Sequence, residues 1–205
     1  MIFAGSDSEM ISKLAKSIAH FFVVQNITEE SKEVIYAYGM ELLISDVLNT
    51  IIALLIALFS HTLPAVVVFI AVFMGLRQFV GGFHANSHLS CTFTLVMVMM
   101  VFSYGICNVS GHITPIFSIS FIMIALPIIL CIAPVPHPNK PMSEEKSVKL
   151  RKRSCILAVT LSVVTIALLV FQYQKLSLYV SSGMLLSAIM ALLGHFLNRG
   201  DNSKR

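Results

Sequence analysis

Cys91 and His84 are the residues whose types and spacing carry the most chemistry, with six residues between them. A thiol attacks as its thiolate, and a neighbouring imidazole can take the proton. Both lie in one polar stretch, Arg77-Gln78-Phe79-Val80-Gly81-Gly82-Phe83-His84-Ala85-Asn86-Ser87-His88-Leu89-Ser90-Cys91, set between two long apolar runs. Polar groups among apolar segments must find partners, and leaving them without any costs free energy. Gly81-Gly82 predicts a sharp turn, because glycine permits positive φ and close backbone approach. Ser87 or Ser90 then suits the N-cap of the next helix. Either choice leaves Cys91 in or near the first turn of that helix. The positive end of a helix favours a thiolate, and free N–H groups there can hold an oxyanion.

Each of these residues also has a bland reading. Cys91 can be a small buried apolar residue, and His84 an interfacial imidazole bonded to a loop carbonyl. His84, His88 and Cys91 have the spacing of ligands on one helix face, which is the pattern of a metal site. Gly82 and the polar loop place His84 before the helix, however, and no HExxH motif occurs. No metal or other cofactor is expected, and His88 is given no role. Gln78 and Asn86 are amides that could donate to an oxyanion or orient His84; Gln78 is the first choice. Arg77 could pair with a substrate carboxylate or snorkel to the headgroups.

The stretch resembles the signature of the AgrB family, bacterial membrane endopeptidases that process the precursor of a quorum-sensing peptide. The resemblance rests on Arg77-Gln78-Phe79, Gly81-Gly82-Phe83-His84-Ala85, Ser87 and Cys91. Tyr38-Gly39-Met40-Glu41, Pro134-Val135-Pro136 and Asn139-Lys140-Pro141 agree with the pattern more weakly. It implies a cysteine endopeptidase in which Cys91 is the nucleophile and His84 its base, with Gln78, Gly82 and Glu41 in support. It further implies a precursor peptide with an amphipathic leader, a central signal segment and an acidic tail, and a homodimeric enzyme.

The elements that must position these residues are those of an all-α integral membrane protein. The chain has 205 residues, 57% hydrophobic and only 12% charged, with a mean hydropathy of +0.86. Soluble domains carry about 25% charged residues. Six apolar segments, at 35–59, 63–80, 89–108, 114–133, 154–172 and 177–197, each approach the roughly 20 residues that cross a bilayer. The connections near 60–62 and 109–113 are short enough for antiparallel hairpins. Pro115 suits a helix start, and Pro127 predicts a kink. Ahead of them, Ile11, Leu14, Ile18, Phe21 and Phe22 recur at helical spacing over 8–25. This predicts an amphipathic helix lying in the interface or packed on the bundle. Thr28, followed by Glu29 and Glu30, predicts the next helix start.

The division expected is an N-terminal segment 1–33, one membrane domain over 34–198 and a polar tail 199–205. The domain carries the loop 77–91 and a basic loop 134–153. Thirteen of the 14 Lys and Arg residues fall on the side shared by both termini and the 77–91 loop, and Lys175 alone falls on the other. Positive charge favours the cytoplasm, so both termini and His84 and Cys91 are expected there. Tyr38, Glu41, Ser45, Asp46 and Asn49 share an arc of the first span. Asp46 is expected to be buried and hydrogen-bonded there, and Glu41 either to orient His84 or to mark the interface.

Four prolines stiffen the 134–153 segment ahead of Lys146, Lys149, Arg151, Lys152 and Arg153. That cluster suits anionic lipid or an acidic part of the substrate. Nucleic acid is not an expected partner. Four scattered cysteines suggest neither zinc nor disulfides. No secretory signal peptide is expected. The reading from a different class is a non-enzymatic transporter or peptide-binding subunit.

Overall fold

A computed structural model of the protein describes residues 4–81, 88–135 and 144–202. The helices are α1 (Ala4–Val24), α2 (Glu33–Phe59), α3 (Leu63–Val80), α4 (His88–Met100), α5 (Thr114–Ile132), α6 (Glu144–Val170) and α7 (Gln174–Asn202). A π-helical turn, Val101–Gly105, and a short 3-10 turn, Ile106–Asn108, extend α4. Six of these stretches are long and apolar enough to cross a membrane, as expected. Their outer faces carry exposed side chains such as Phe59, Met123 and Val163, which suits lipid rather than water. Among the described residues there is no β-strand, only a bridge between Gly81 and Val135.

The described residues fall into two compact units. One lies within Met1–Ile56 and Ala85–Met99, the other within Ala57–His84 and Met100–Arg205. In the first, α1 buries Ala15 and Ala19 and leaves Leu14 and Phe21 exposed. The close-packed face is thus the small-residue stripe beside the expected apolar one. Phe22 meets Tyr36 of α2 edge-on at 6.3 Å, and His20 Nδ1 lies 3.4 Å from Glu33 Oε1. The helix start expected at Thr28 falls later, at a 3-10 turn, Glu30–Lys32, with Glu29 in the cap position. The reason is local. The Thr28 N–H is taken by Phe22 O at the end of α1, and the Glu29 carboxylate pairs with Lys32 at 3.1 Å.

In the second unit α7 packs against α3, α5 and α6. Its spanning window is 56% buried, against 17–28% for the other five. Small residues permit this. Ser177, Ser181, Ser182, Gly183, Ser187, Ala188 and Ala191 are all buried. A Cβ added at Gly183 would stand 3.0 Å from both Phe69 O and Val72 Cγ1 of α3. Backbones this close gain van der Waals contact, the main attraction between helices in lipid. Ser118 and Ser177 add an α5–α7 hydrogen bond at 3.0 Å. Such bonds average only about 0.6 kcal/mol, so close packing dominates.

One expectation about the loops needs correction. Residues 144–153 are the first turns of α6, so the basic cluster is helical rather than part of a loop. Glu144 and Glu145 suit the positive end of that helix, and Glu145 pairs with Lys149 one turn on. Pro127 lies inside α5, which continues as one helix to Ile132.

Candidate functional site

Cys91 is the fourth residue of α4, as the spacing suggested, and its side chain is half-buried. It therefore follows the first N–H groups of the helix, which have no partner within it. In the same unit, α2 presents Asn49, which is 7% exposed. Asn49 Nδ2 donates to Cys91 Sγ at 3.4 Å, and Thr92 Oγ1 donates to Asn49 Oδ1 at 2.9 Å. The two bonds orient the amide: its oxygen faces the threonine hydroxyl, leaving its N–H groups for the sulphur. The arrangement holds a thiol in the first turn of α4 with a neutral donor beside it.

The polar arc on α2 sorts differently from the expectation. Ser45 and Asn49 are buried, whereas Asp46 is exposed. The physical cause is the helical period. Positions 45 and 49 stack on one face, and position 46 points about 100° away. The Asp46 backbone carbonyl accepts from Thr50 Oγ1 at 2.7 Å. The hydrogen-bonded role assigned to Asp46 belongs to Asn49. Glu41 is half-buried on α2, two turns or about 12 Å along the axis before Asn49.

Arg77 and Gln78 lie in the last turn of α3, in the other unit. Gln78 is exposed; Arg77 is half-buried, its guanidinium 5.5 Å from the Phe73 ring centroid. Gly81, which follows, takes the positive φ expected of it. Gly81 has φ +73° and ψ −152°, and its N–H bonds to Arg77 O at 3.0 Å. Val135 N donates to Val80 O at 2.9 Å, and a Cβ on Gly81 would strike the Val135 carbonyl. Gly81 and Val135, one residue from each of two matching motifs, therefore meet here. His84, Gly82, Asn86 and Ser87 lie outside the described residues, as does the side chain of His88. Lys149, Arg151, Lys152 and Arg153 are exposed on the first turns of α6.

The AgrB family profile, accessory gene regulator B, matches residues 10–191. The chain belongs to the AgrB family. It is similar to an AgrB-like protein of Clostridium perfringens (strain SM101 / Type A), 25% identical over 189 residues, covering 89% of this chain and 88% of the relative. A second, AgrB-like protein 2 of Clostridium perfringens (strain 13 / Type A), is 26% identical over 180 residues, covering 85% and 81%. An AgrB-like protein of Clostridium beijerinckii is 25% identical over 145 residues, covering 69% and 71%. No solved structure matches the chain. This AgrB-family chain is a multi-pass membrane protein tied to accessory gene regulation.

A second polar feature of the AgrB-family fold lies within the larger unit, at the other end of α3, about 27 Å along its axis from Gly81. It is a cavity of about 650 Å³ lined by residues that include His61, Thr62, Ser103, Cys107, Asn108 and Tyr179. Thr62 Oγ1 and Ser103 Oγ are 3.1 Å apart across it. Lys175 Nζ donates to Cys107 O and Val109 O at 2.8 and 3.0 Å. Lys175 thus serves the carbonyl end of the extended α4.

Proposed function

We propose that this protein is a membrane cysteine endopeptidase that removes the C-terminal tail of a precursor peptide and supports thiolactone formation. The observation that carries it is the Cys91 sulphur at the start of α4 with the Asn49 amide donating to it. Membership of the AgrB family supports the same reading.

In the reaction, His84 takes the Cys91 thiol proton and Sγ attacks the carbonyl that joins signal segment to tail. The C–N bond breaks, His84 returns the proton to the departing amine, and the signal segment remains as a thioester on Cys91. A substrate thiol then attacks that thioester. It gives up its proton to His84, Cys91 leaves as the thiolate and takes that proton back from His84, and the product closes as a thiolactone. Exchange of one thioester for another is nearly thermoneutral, whereas making the first from an amide is uphill. Exclusion of water and removal of the tail therefore pull the reaction forward.

Gln78 and Gly82 support the oxyanion or the orientation of His84, and Glu41 supports His84. Arg77 and the α6 cluster of Lys149, Arg151, Lys152 and Arg153 attract the acidic tail. The protein acts as a homodimer with both termini and Cys91 facing the cytoplasm of a bacterial cell.

The test is trapping of the acyl adduct. A precursor whose own cysteine is replaced by alanine has no thiol for the second step. Denaturing mass analysis should find the signal segment on the Cys91 peptide, removable by neutral hydroxylamine. Cys91→Ser should carry little or no adduct. Equal cleavage by wild type and Cys91→Ala would overturn the reading.

The reading as a non-enzymatic transporter or peptide-binding subunit draws on the hydroxyl-lined cavity around Thr62 and Ser103. It predicts no adduct, and it gives the Asn49–Cys91 bond no task.

A further inference from the structure

Asn49 reaches Cys91 across 42 positions of sequence, from a different helix. Its side chain is buried, and its carbonyl oxygen is held by the hydroxyl of Thr92, the residue next to the cysteine. One amide therefore binds two consecutive residues of α4 and presents its N–H to the sulphur. A polar residue on a spanning helix needs no such arrangement merely to be satisfied; the threonine alone would serve one half of the amide. The donor is neutral, so it brings no second charge into an apolar setting, where charge is costly. We infer that Asn49 is a positioning residue for Cys91, fixing the sulphur at the start of α4 and supporting negative charge on it. This inference rests on the proposal that Cys91 is the nucleophile.

The charge appears twice in that reaction. Sγ carries it when it attacks the peptide carbonyl, and again when the substrate thiol displaces Cys91 from the thioester. A donor bonded to sulphur stabilises the charged form more than the neutral thiol, because hydrogen bonds to ions are about twice as strong. Asn49 thus eases both the acylation and the release, without itself exchanging a proton. Thr92 acts one step further back: its hydroxyl selects which end of the amide faces the sulphur.

A purely structural staple between α2 and α4 would give the same two bonds, so the test must read the sulphur rather than stability. Iodoacetamide supplies this, since it needs no peptide substrate. The full-length protein in detergent is alkylated across a pH series, and the rate is followed by mass on the Cys91 peptide. In Asn49→Leu, which keeps the branched heavy-atom skeleton, the alkylation curve should move to higher pH. Reaction at neutral pH should then fall about tenfold. Thr92→Val, which keeps the shape and removes the hydroxyl, should move the curve the same way by a smaller amount, about threefold at neutral pH.

The curve's midpoint decides, because altered access to the thiol changes the rate at every pH alike. If Asn49→Leu does not fold, as judged by gel filtration, Thr92→Val decides by itself. Folded variants whose midpoints stay at the wild-type value would overturn the inference and leave Asn49 a staple. That outcome would not touch cleavage through Cys91. Conversely, cleavage by Cys91→Ala would remove the enzymatic reading while the alkylation curves still reported the bond.

Discussion

Gly81 and Val135 are in backbone contact, with the amide of Val135 bonded to the carbonyl of Val80 at 2.9 Å. The contact joins the end of α3 to the segment after α5, beside a core that includes Leu76, Val80, Ile129 and Met184. Gly81→Ala should be costly on two counts. Its backbone conformation is open in practice to glycine alone, at about 1–3 kcal/mol for other residues. The added methyl also meets a carbonyl that is part of the bond. Lower thermal stability in detergent together with reduced peptide cleavage is expected. Full stability in Gly81→Ala would show that the contact is dispensable.

The close approach of α3 and α7 at Gly183 gives a second prediction. A Cβ there already presses on Phe69 O and Val72. Gly183→Leu should overpack this contact, at a cost of about 1–3 kcal/mol. A scan of thermal aggregation should show an earlier onset than for wild type, whereas Ile189→Leu, at an exposed site on the same helix, should leave it unchanged.

The basic cluster at the start of α6 should act on affinity rather than on chemistry. Arg151, Lys152 and Arg153 are exposed, and Lys149 is already paired with Glu145. Replacing the three with Gln should raise KM for an acidic-tailed precursor and leave kcat nearly intact. Added salt should reduce the difference, since exposed charges are screened beyond about 10 Å at 0.1 M. A fall in kcat that salt does not change would argue for a direct role in the reaction.

The expected split of thirteen basic residues on one side against one on the other predicts the orientation. Reporter fusions at residues 86 and 203 should both report the cytoplasm. An external signal at residue 86 would deny a cytosolic precursor access to Cys91 and count against the endopeptidase reading.

The sequence by itself determined where the chain crosses a membrane and where its helices turn. Hydropathy and helix-breaking residues are local properties: 63–80 was bounded by the short polar turn and by Gly81 without reference to any neighbour. Gly81 itself was legible because only glycine takes its backbone conformation without strain. Cys91 at the start of a helix followed from the same local signals. Its role did not, because a thiol in an apolar helix is also an ordinary packing residue.

What the tertiary structure decided is which polar residues meet. Five polar residues on α2 shared one arc in the sequence, and a carboxylate drew attention to Asp46. Only the placement of α4 selects Asn49, because a hydrogen bond depends on separations of about 3 Å that no periodicity encodes. The position of α7 was likewise hidden. All six apolar segments look alike to lipid, and the one that packs against three others is distinguished by serines, alanines and a glycine that let backbones close in. The basic cluster read as loop because prolines precede it. It folded as helix because Glu144 and Glu145 complement the dipole at its start, an advantage realised only once the helix forms.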